Sequence, residues 1–191
     1  MLPRIPLGTA VMLHGVYVTA LRPVSASSNG FFVQDPSLEP YSGLSVFSGS
    51  VTLGVEVGQR LTVRGYAESF QGTPELTEPA VELEQAAAAL PLPAVFLTDP
   101  AAIADGGALF EAYRSMLVTF SGLSVTSENA DAPSDFDEFV ATGGLRVDDA
   151  LDPDLDNTFP VGTRFSSLRG IVGQSFSHRK LWPRSSADIE P

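Results

Sequence analysis

The stretch Val57-Gly58-Gln59-Arg60-Leu61-Thr62-Val63-Arg64-Gly65 returns, with one residue added, as Val161-Gly162-Thr163-Arg164-Phe165-Ser166-Ser167-Leu168-Arg169-Gly170. Each copy is followed by a second matching pair, Ser69-Phe70 in the first and Ser175-Phe176 in the second. Repetition at roughly the spacing of one small domain reads as a single supersecondary unit used twice. The unit is a β-module, and the flanking segments bear this out strand for strand.

Composition agrees. The 191 residues allow one or two domains, and Gly 17 and Pro 15 suit many short strands and turns better than helices. Cysteine is absent, which removes any disulfide framework and any thiolate metal site. The formal net charge of −12 sets the chain against duplex DNA and anionic membrane, since both are bound through lysine and arginine. No apolar run approaches the ~20 residues of a membrane helix. The start, Met1-Leu2-Pro3-Arg4-Ile5-Pro6, has no apolar signal core.

In chain order, 11–21 forms a long strand interrupted by Gly15, as a bulge or tight bend requires. A turn at 25–30 leads to Phe31-Phe32-Val33-Gln34-Asp35, stopped by Pro36, and then to Leu44-Ser45-Val46-Phe47-Ser48. The repeated motif supplies strand four, Gln59 to Phe70. Gly72-Thr73-Pro74 turns into strand five around Glu75-Leu76-Thr77, with Val81-Glu82-Leu83 as an extension. Five short strands of this kind close into a small barrel. Ala86 to Ala89 and Leu90-Pro91-Leu92-Pro93 read as a linker. Asp99 caps a short helix with Pro100 at its first position, and 108–113 adds another turn. Then 116–126 repeats the long first strand, Phe139 to Thr142 and Leu145 to Val147 are strands two and three, Phe165 to Phe176 strand four, and Lys180-Leu181-Trp182 strand five. The expected fold is all-β with minor α: two tandem OB-like five-stranded barrels, over 1–95 with the linker and over 96–191 with the short helix.

The run Gly30-Phe31-Phe32-Val33-Gln34-Asp35-Pro36, the first motif copy, and Pro74-Glu75-Leu76-Thr77 resemble the OB-fold domains that precede the catalytic domain in secreted bacterial endonucleases. The resemblance covers about residues 10 to 80. The second half, at Gly144-Leu145-Arg146-Val147-Asp148-Asp149 and from Leu181 to Ile189, is similar to a diverged partner module of extracellular bacterial lipoproteins. In those nucleases the chemistry lies in a separate metal-dependent domain, for which this chain has no room. The resemblance therefore implies an accessory role outside the cytoplasm and carries over no catalytic residue.

Three constellations could carry binding. In a strand, alternate residues share a face, so Phe31, Val33, Leu44 and Val46 belong inside the barrel. Phe32, Gln34 and Phe47 then point outward on strands two and three, the usual OB-fold ligand face; the alternative is that the second module covers them. Between Asn157 and Ala187 the only charged residues are the bases Arg164, Arg169, Arg179, Lys180 and Arg184, beside Phe176 and Trp182. Bases interleaved with aromatics can hold a single strand, whereas the acids at 128–156 offer internal pairing instead. Asp152, Asp154 and Asp156 alternate like the opening of a calcium loop, although no glycine or closing glutamate follows at the usual places; the alternative is a solvated acidic loop. His14 and His178 have no sequence partners for a triad or metal site.

The expectation is a non-catalytic extracytoplasmic binding module, not an enzyme, with a protein, a glycan or single-stranded nucleic acid as partner. No cofactor is expected unless calcium binds at the aspartates. The alternatives are an accessory domain that positions nucleic acid for a secreted nuclease, and a structural cell-surface module.

Overall fold

The computed structural model describes residues 5–87, 92–155 and 158–191. Contacts divide the chain into two compact units, Met1–Pro93 and Ala94–Pro191. Among the described residues both are built of strands, with one short helix and brief 3-10 turns confined to the second. No helix among the described residues is long and apolar enough to cross a membrane. Much of the expected linker, from Ala88 to Pro91, lies outside the described residues.

The first unit has five strands: β1 (Ala10–Leu21), β2 (Asn29–Gln34), β3 (Gly43–Gly49), β4 (Arg60–Phe70) and β5 (Thr73–Gln85). The β1–β2 turn is tied by Asn29, whose Oδ1 accepts from the Ser25 N–H at 2.9 Å while its Nδ2 donates to the Ser25 carbonyl at 2.8 Å. Val81 to Leu83 continues β5, which bends at Glu78, a residue at positive φ. The strands pair in the order β1-β2-β3-β5-β4, and β4 pairs back onto β1, so the ladder closes on itself. All pairs are antiparallel except β3 with β5. Inside lie Val16, Val18, Phe31, Val33, Leu44, Val46, Leu61, Val63 and Leu76. Alternation placed Phe31, Val33, Leu44 and Val46 correctly, and each large core residue contributes about 1.5–3 kcal/mol by leaving water.

The second unit departs from the expected five strands. It begins with β6 (Val95–Phe96), a 3-10 turn at Pro100–Ala102 and α1 (Phe110–Tyr113). Asp99 caps the turn, its side chain accepting from the Ala101 N–H. The long first strand is two: β7 (Leu117–Phe120) and β8 (Val125–Ser127). Then come β9 (Glu138–Ala141), β10 (Leu145–Asp148), β11 (Ser167–Ser175), β12 (His178–Trp182) and β13 (Ile189–Glu190). The order is β6-β7-β11-β12-β10-β9-β8, with β13 on β11 and with β10 parallel to β12. The break falls at Gly122, where φ is +70°. In the first unit the same bend is absorbed at Gly15, φ +68°, as a bulge inside a continuous strand.

The repeated motif does the same work twice. Gly58, φ +93°, donates its N–H to the Val18 carbonyl, and Val18 donates back to Gln59, both at 2.9 Å. Gly162, φ +92°, and Thr163 make the same pair of bonds with Val125, again at 2.9 Å. The motif arginine then covers the strand-one glycine. Arg60 Nε donates to the Gly15 carbonyl at 3.1 Å, and Arg164 lies against Gly122. A side chain at Gly65 would collide with Leu76, and one at Gly170 with Trp182. The Ser-Phe pairs are one residue out of step. The first hairpin turns on Gln71-Gly72 and the second on Phe176-Ser177, all four at positive φ, so β11 stops at Ser175 and not at Phe176. Two residues of positive φ are what a tight hairpin needs to match strand twist.

Candidate functional site

The outward face expected to carry a ligand is covered. Phe32 and Gln34 are each only 2% exposed. Phe32 stands in a row across the sheet, Ala20 to Phe32 to Ser45 to Glu75. Arg22 leaves the end of β1 and lies over that row. Its guanidinium carbon sits 5.1 Å from the Phe32 ring centre, and Nη2 donates to Ser45 Oγ at 2.9 Å. A cation over an aromatic face is favourable and removes the ring from water. Burial holds the Arg22 guanidinium below its usual range, against the pull of Glu75. Burial likewise raises Glu75, against Arg22. Gln34 shares a small recess with Tyr17, Thr19 and the buried Leu92. Strand parity gives direction and not exposure, and it took no account of Arg22. Phe47 is half-buried and edges an apolar cleft of about 400 Å³ with Val51, Leu53 and Pro79.

The basic residues of the second unit are mostly engaged internally. Lys180 is 1% exposed. Its Nζ meets the Glu138 carboxylate in a very close contact and donates to Asp148 Oδ2 at 2.9 Å. Glu138 also accepts from Arg146, which bonds Asp131 at 2.8 Å. Lys180 is thus the centre of a buried ion cluster and not a phosphate contact. Arg179 donates to the Gly107 carbonyl at 2.7 Å, and its guanidinium carbon lies 4.5 Å from the Phe110 ring centre. Arg184 is bidentate to Asp188. Trp182 is 9% exposed, with its ring on Gly173, where a Cβ would strike it. Of the two readings of these bases, pairing with the acids at 128–156 is realised at Lys180, and the single-strand platform is not assembled there: Lys180 and Trp182 face into the fold. Arg164 is exposed over Gly122, Arg169 is half-buried, and Phe176 stands out at the hairpin tip.

Of the expected calcium ligands, Asp156 lies outside the described residues. Asp152 donates its N–H to the Asp149 carbonyl, and Leu155 N–H returns to Asp152, so the segment turns back and buries Leu155. Asp154 is exposed. Among the described residues no three His, Asp or Glu side chains converge on a metal position. His178 Nδ1 is 2.6 Å from Asp105 Oδ2. Burial pushes the Asp105 carboxyl up, but the His178 and Arg179 hydrogen bonds outweigh it and hold the group below its usual range.

A second cleft suited to a ligand is one that sequence reasoning missed. In the first unit a cleft of about 440 Å³ opens between the start of β1 and the 35–42 connection. Its apolar wall includes Met12, Leu13, Val16, Val33 and Leu44, and its polar rim includes His14, Asp35, Glu39 and Tyr41. Two locks shape it. Thr62 Oγ1 donates to Glu84 Oε1 at 2.5 Å, so it accepts from His14 Nδ1 at 2.9 Å, which fixes the imidazole. The connection is held by the Asp35 N–H bond to the Ser42 carbonyl at 2.9 Å and by the Ser42 N–H bond to Glu39 at 3.1 Å. That closure keeps Leu38 and Tyr41 at φ +58° and +70°. Positive φ is uncommon for a bulky residue, and such outliers gather where structure serves function. Asp35 accepts the Ser37 N–H at 2.8 Å; the Ser37 backbone and hydroxyl bonds, aided by Arg60, outweigh desolvation and hold its carboxyl below the usual range. The available sequence signal was the proline-flanked length between strands two and three.

No protein-family model matches the chain, and no curated protein does. The functional reading therefore stands on geometry.

Proposed function

We propose that the chain is a non-catalytic binding module of two OB-like units, acting outside the cytoplasm, and that the first unit makes the ligand contact. The cleft of about 440 Å³ beside the 35–42 connection carries this reading. Its volume falls in the range of ligand sites, roughly 300–1,000 Å³, and its apolar wall with a few placed polar groups is the usual pattern. The OB-like reading is supported by the closed order β1-β2-β3-β5-β4 with β3 and β5 parallel, an order that the second unit echoes through β10 and β12. Nucleic-acid positioning has less support, because Arg179, Lys180 and Arg184 are engaged within their own unit.

The test is a two-dimensional ¹⁵N NMR titration of the labelled chain. The probes are a pool of capped amino-acid amides, a chito-oligosaccharide and an eight-nucleotide oligothymidylate. The expected outcome is saturable movement of the amides of His14, Tyr41 and Gly43. If the cleft is silent and the oligonucleotide moves Arg164 and Arg169 instead, the accessory nucleic-acid reading replaces this one.

A further inference from the structure

We propose that this cleft takes the cationic head of a lysine or arginine side chain presented by a partner protein. The inference rests on the reading of the cleft as the contact site and adds its chemistry.

The rim carries two carboxylates, Asp35 and Glu39, and neither lysine nor arginine lines the space. The other polar groups there are the hydroxyls of Ser37, Tyr41 and Ser42 and the His14 imidazole. His14 uses Nδ1 towards Thr62, which leaves Nε2 as its other hydrogen-bonding atom. The hydrogen bonds from Ser37 keep Asp35 in its anionic form to lower pH than usual. A cation entering here meets the negative charge of Asp35 and Glu39, which attracts it. An anion or a phosphate backbone is repelled by both carboxylates, against the hydroxyls of the rim and the pull of Arg60 felt at Asp35. The apolar wall below suits an alkyl stem, the part of lysine or arginine that lies along apolar surface while its head stays polar.

Two further observations favour a protein as the source. The cleft is open at its rim, where Met12 is 48% and Tyr41 39% exposed, so a polypeptide can rest on either side of one inserted side chain. The net charge of −12 speeds the approach of a basic surface from a distance. The backbone that holds Tyr41 is already closed by its own hydrogen bonds, so little ordering is left for binding.

The experiment is an NMR titration with Nα-acetyl-arginine N-methylamide and Nα-acetyl-lysine N-methylamide. Their neutral counterparts are the citrulline and norleucine amides, and n-butylamine serves as a free cation. The capped cations should move His14, Tyr41 and Gly43 saturably and bind at least about tenfold more tightly than the neutral amides, with the gap narrowing as salt rises. Asp35→Asn risks loosening the connection, so Glu39→Gln, at an exposed position, is the primary variant. It should weaken the cations several-fold relative to the neutral amides, with spectral changes confined to the neighbourhood of residue 39. Equal binding of neutral and charged amides would overturn the charge inference while leaving the cleft as a contact site. Silence from every probe would overturn both. Binding of n-butylamine as tightly as the capped residues would overturn the protein source.

Discussion

The two units share a hydrogen-bonding scheme and differ in what fills it. Among the described residues the second core contains Phe110, Phe120, Phe139 and Phe165, with Phe159 packed edge-on against Phe139 and Phe165. The first core, among the described residues, holds Phe31 alone of the aromatics, with Phe32 buried on the other face of its strand. The second unit also has α1 and a 3-10 turn ahead of its first long strand, which bring Phe110 and Ile103 into the core. Its β9–β10 connection is a single short turn at Thr142–Gly144, where the first unit uses 35–42. The strand frame is thus held constant while the connections vary. One copy closes up around aromatics and ion pairs, and the other keeps a cleft under a stiff loop. Connections on a rigid scaffold are where binding residues concentrate.

The sharpest way to break this contrast is through charge burial. Lys180→Ala leaves Asp148 buried without its cation and Glu138 with Arg146 alone, and should destabilise the second unit by about 3 kcal/mol. Urea denaturation read separately for each unit checks it; a loss below about 1 kcal/mol would mean that water reaches the cluster. Next, Gly65→Ala and Gly170→Ala place a methyl group against corresponding fifth strands. Each should cost about 2–3 kcal/mol, in its own unit alone. Unequal losses would show that the shared motif is sequence likeness without shared mechanical duty.

The pH response separates the units at smaller scale. Burial, then the Asp148 hydrogen bond and charge and the charge of Asp137, push the Asp149 carboxyl up to about 6. Its folded value exceeds the unfolded one, so its contribution is full below about pH 4 and is lost as pH rises through 6. Asp149 is partly exposed, and about 1 kcal/mol remains after solvent screening. Asp149→Asn should flatten that slope in the second unit's denaturation midpoint. Asp35 has the opposite sign: its contribution stands above the unfolded value and fades as pH falls below about 4. The smallest effect is expected of Glu39→Gln, within about 0.5 kcal/mol of neutral in stability, since it alters binding chemistry at an exposed site.

What the sequence disclosed follows from period and repetition. Alternation placed Phe31, Val33, Leu44 and Val46 inside, and the motif marked the fourth strands with their two glycine turns. Strand five was legible in pieces, Glu75 to Thr77 and Val81 to Leu83, because Glu78 and Pro79 interrupt a strand that continues through them. The break at Gly122 was not legible. Gly15 and Gly122 look alike in sequence, and only the surrounding hydrogen bonds decide between a bulge and two strands. The candidate site was the least legible part. Phe32 reads as exposed until Arg22 is placed over it from ten residues away in sequence. Lys180 reads from the sequence either as a surface base or as a partner of the acids at 128–156, and only the fold shows that Glu138 and Asp148, on two other strands, are the ones brought to it. Each depends on a distant partner that no local pattern encodes. The 440 Å³ cleft depends likewise on a loop meeting a strand far from it in the chain.

The closed ladder of the first unit also limits how it can meet another molecule. Every strand there has a neighbour on both sides over part of its length, so the free rows of amide and carbonyl groups are short, at the start of β1 and the end of β5. Side chains and loop backbone then carry most of the recognition, and specificity can be rewritten by exchanging the 35–42 segment while the strand frame stays as it is. The same closure protects the unit from the strand-to-strand stacking that turns open sheets into fibres, which makes it a serviceable carrier for grafted loops.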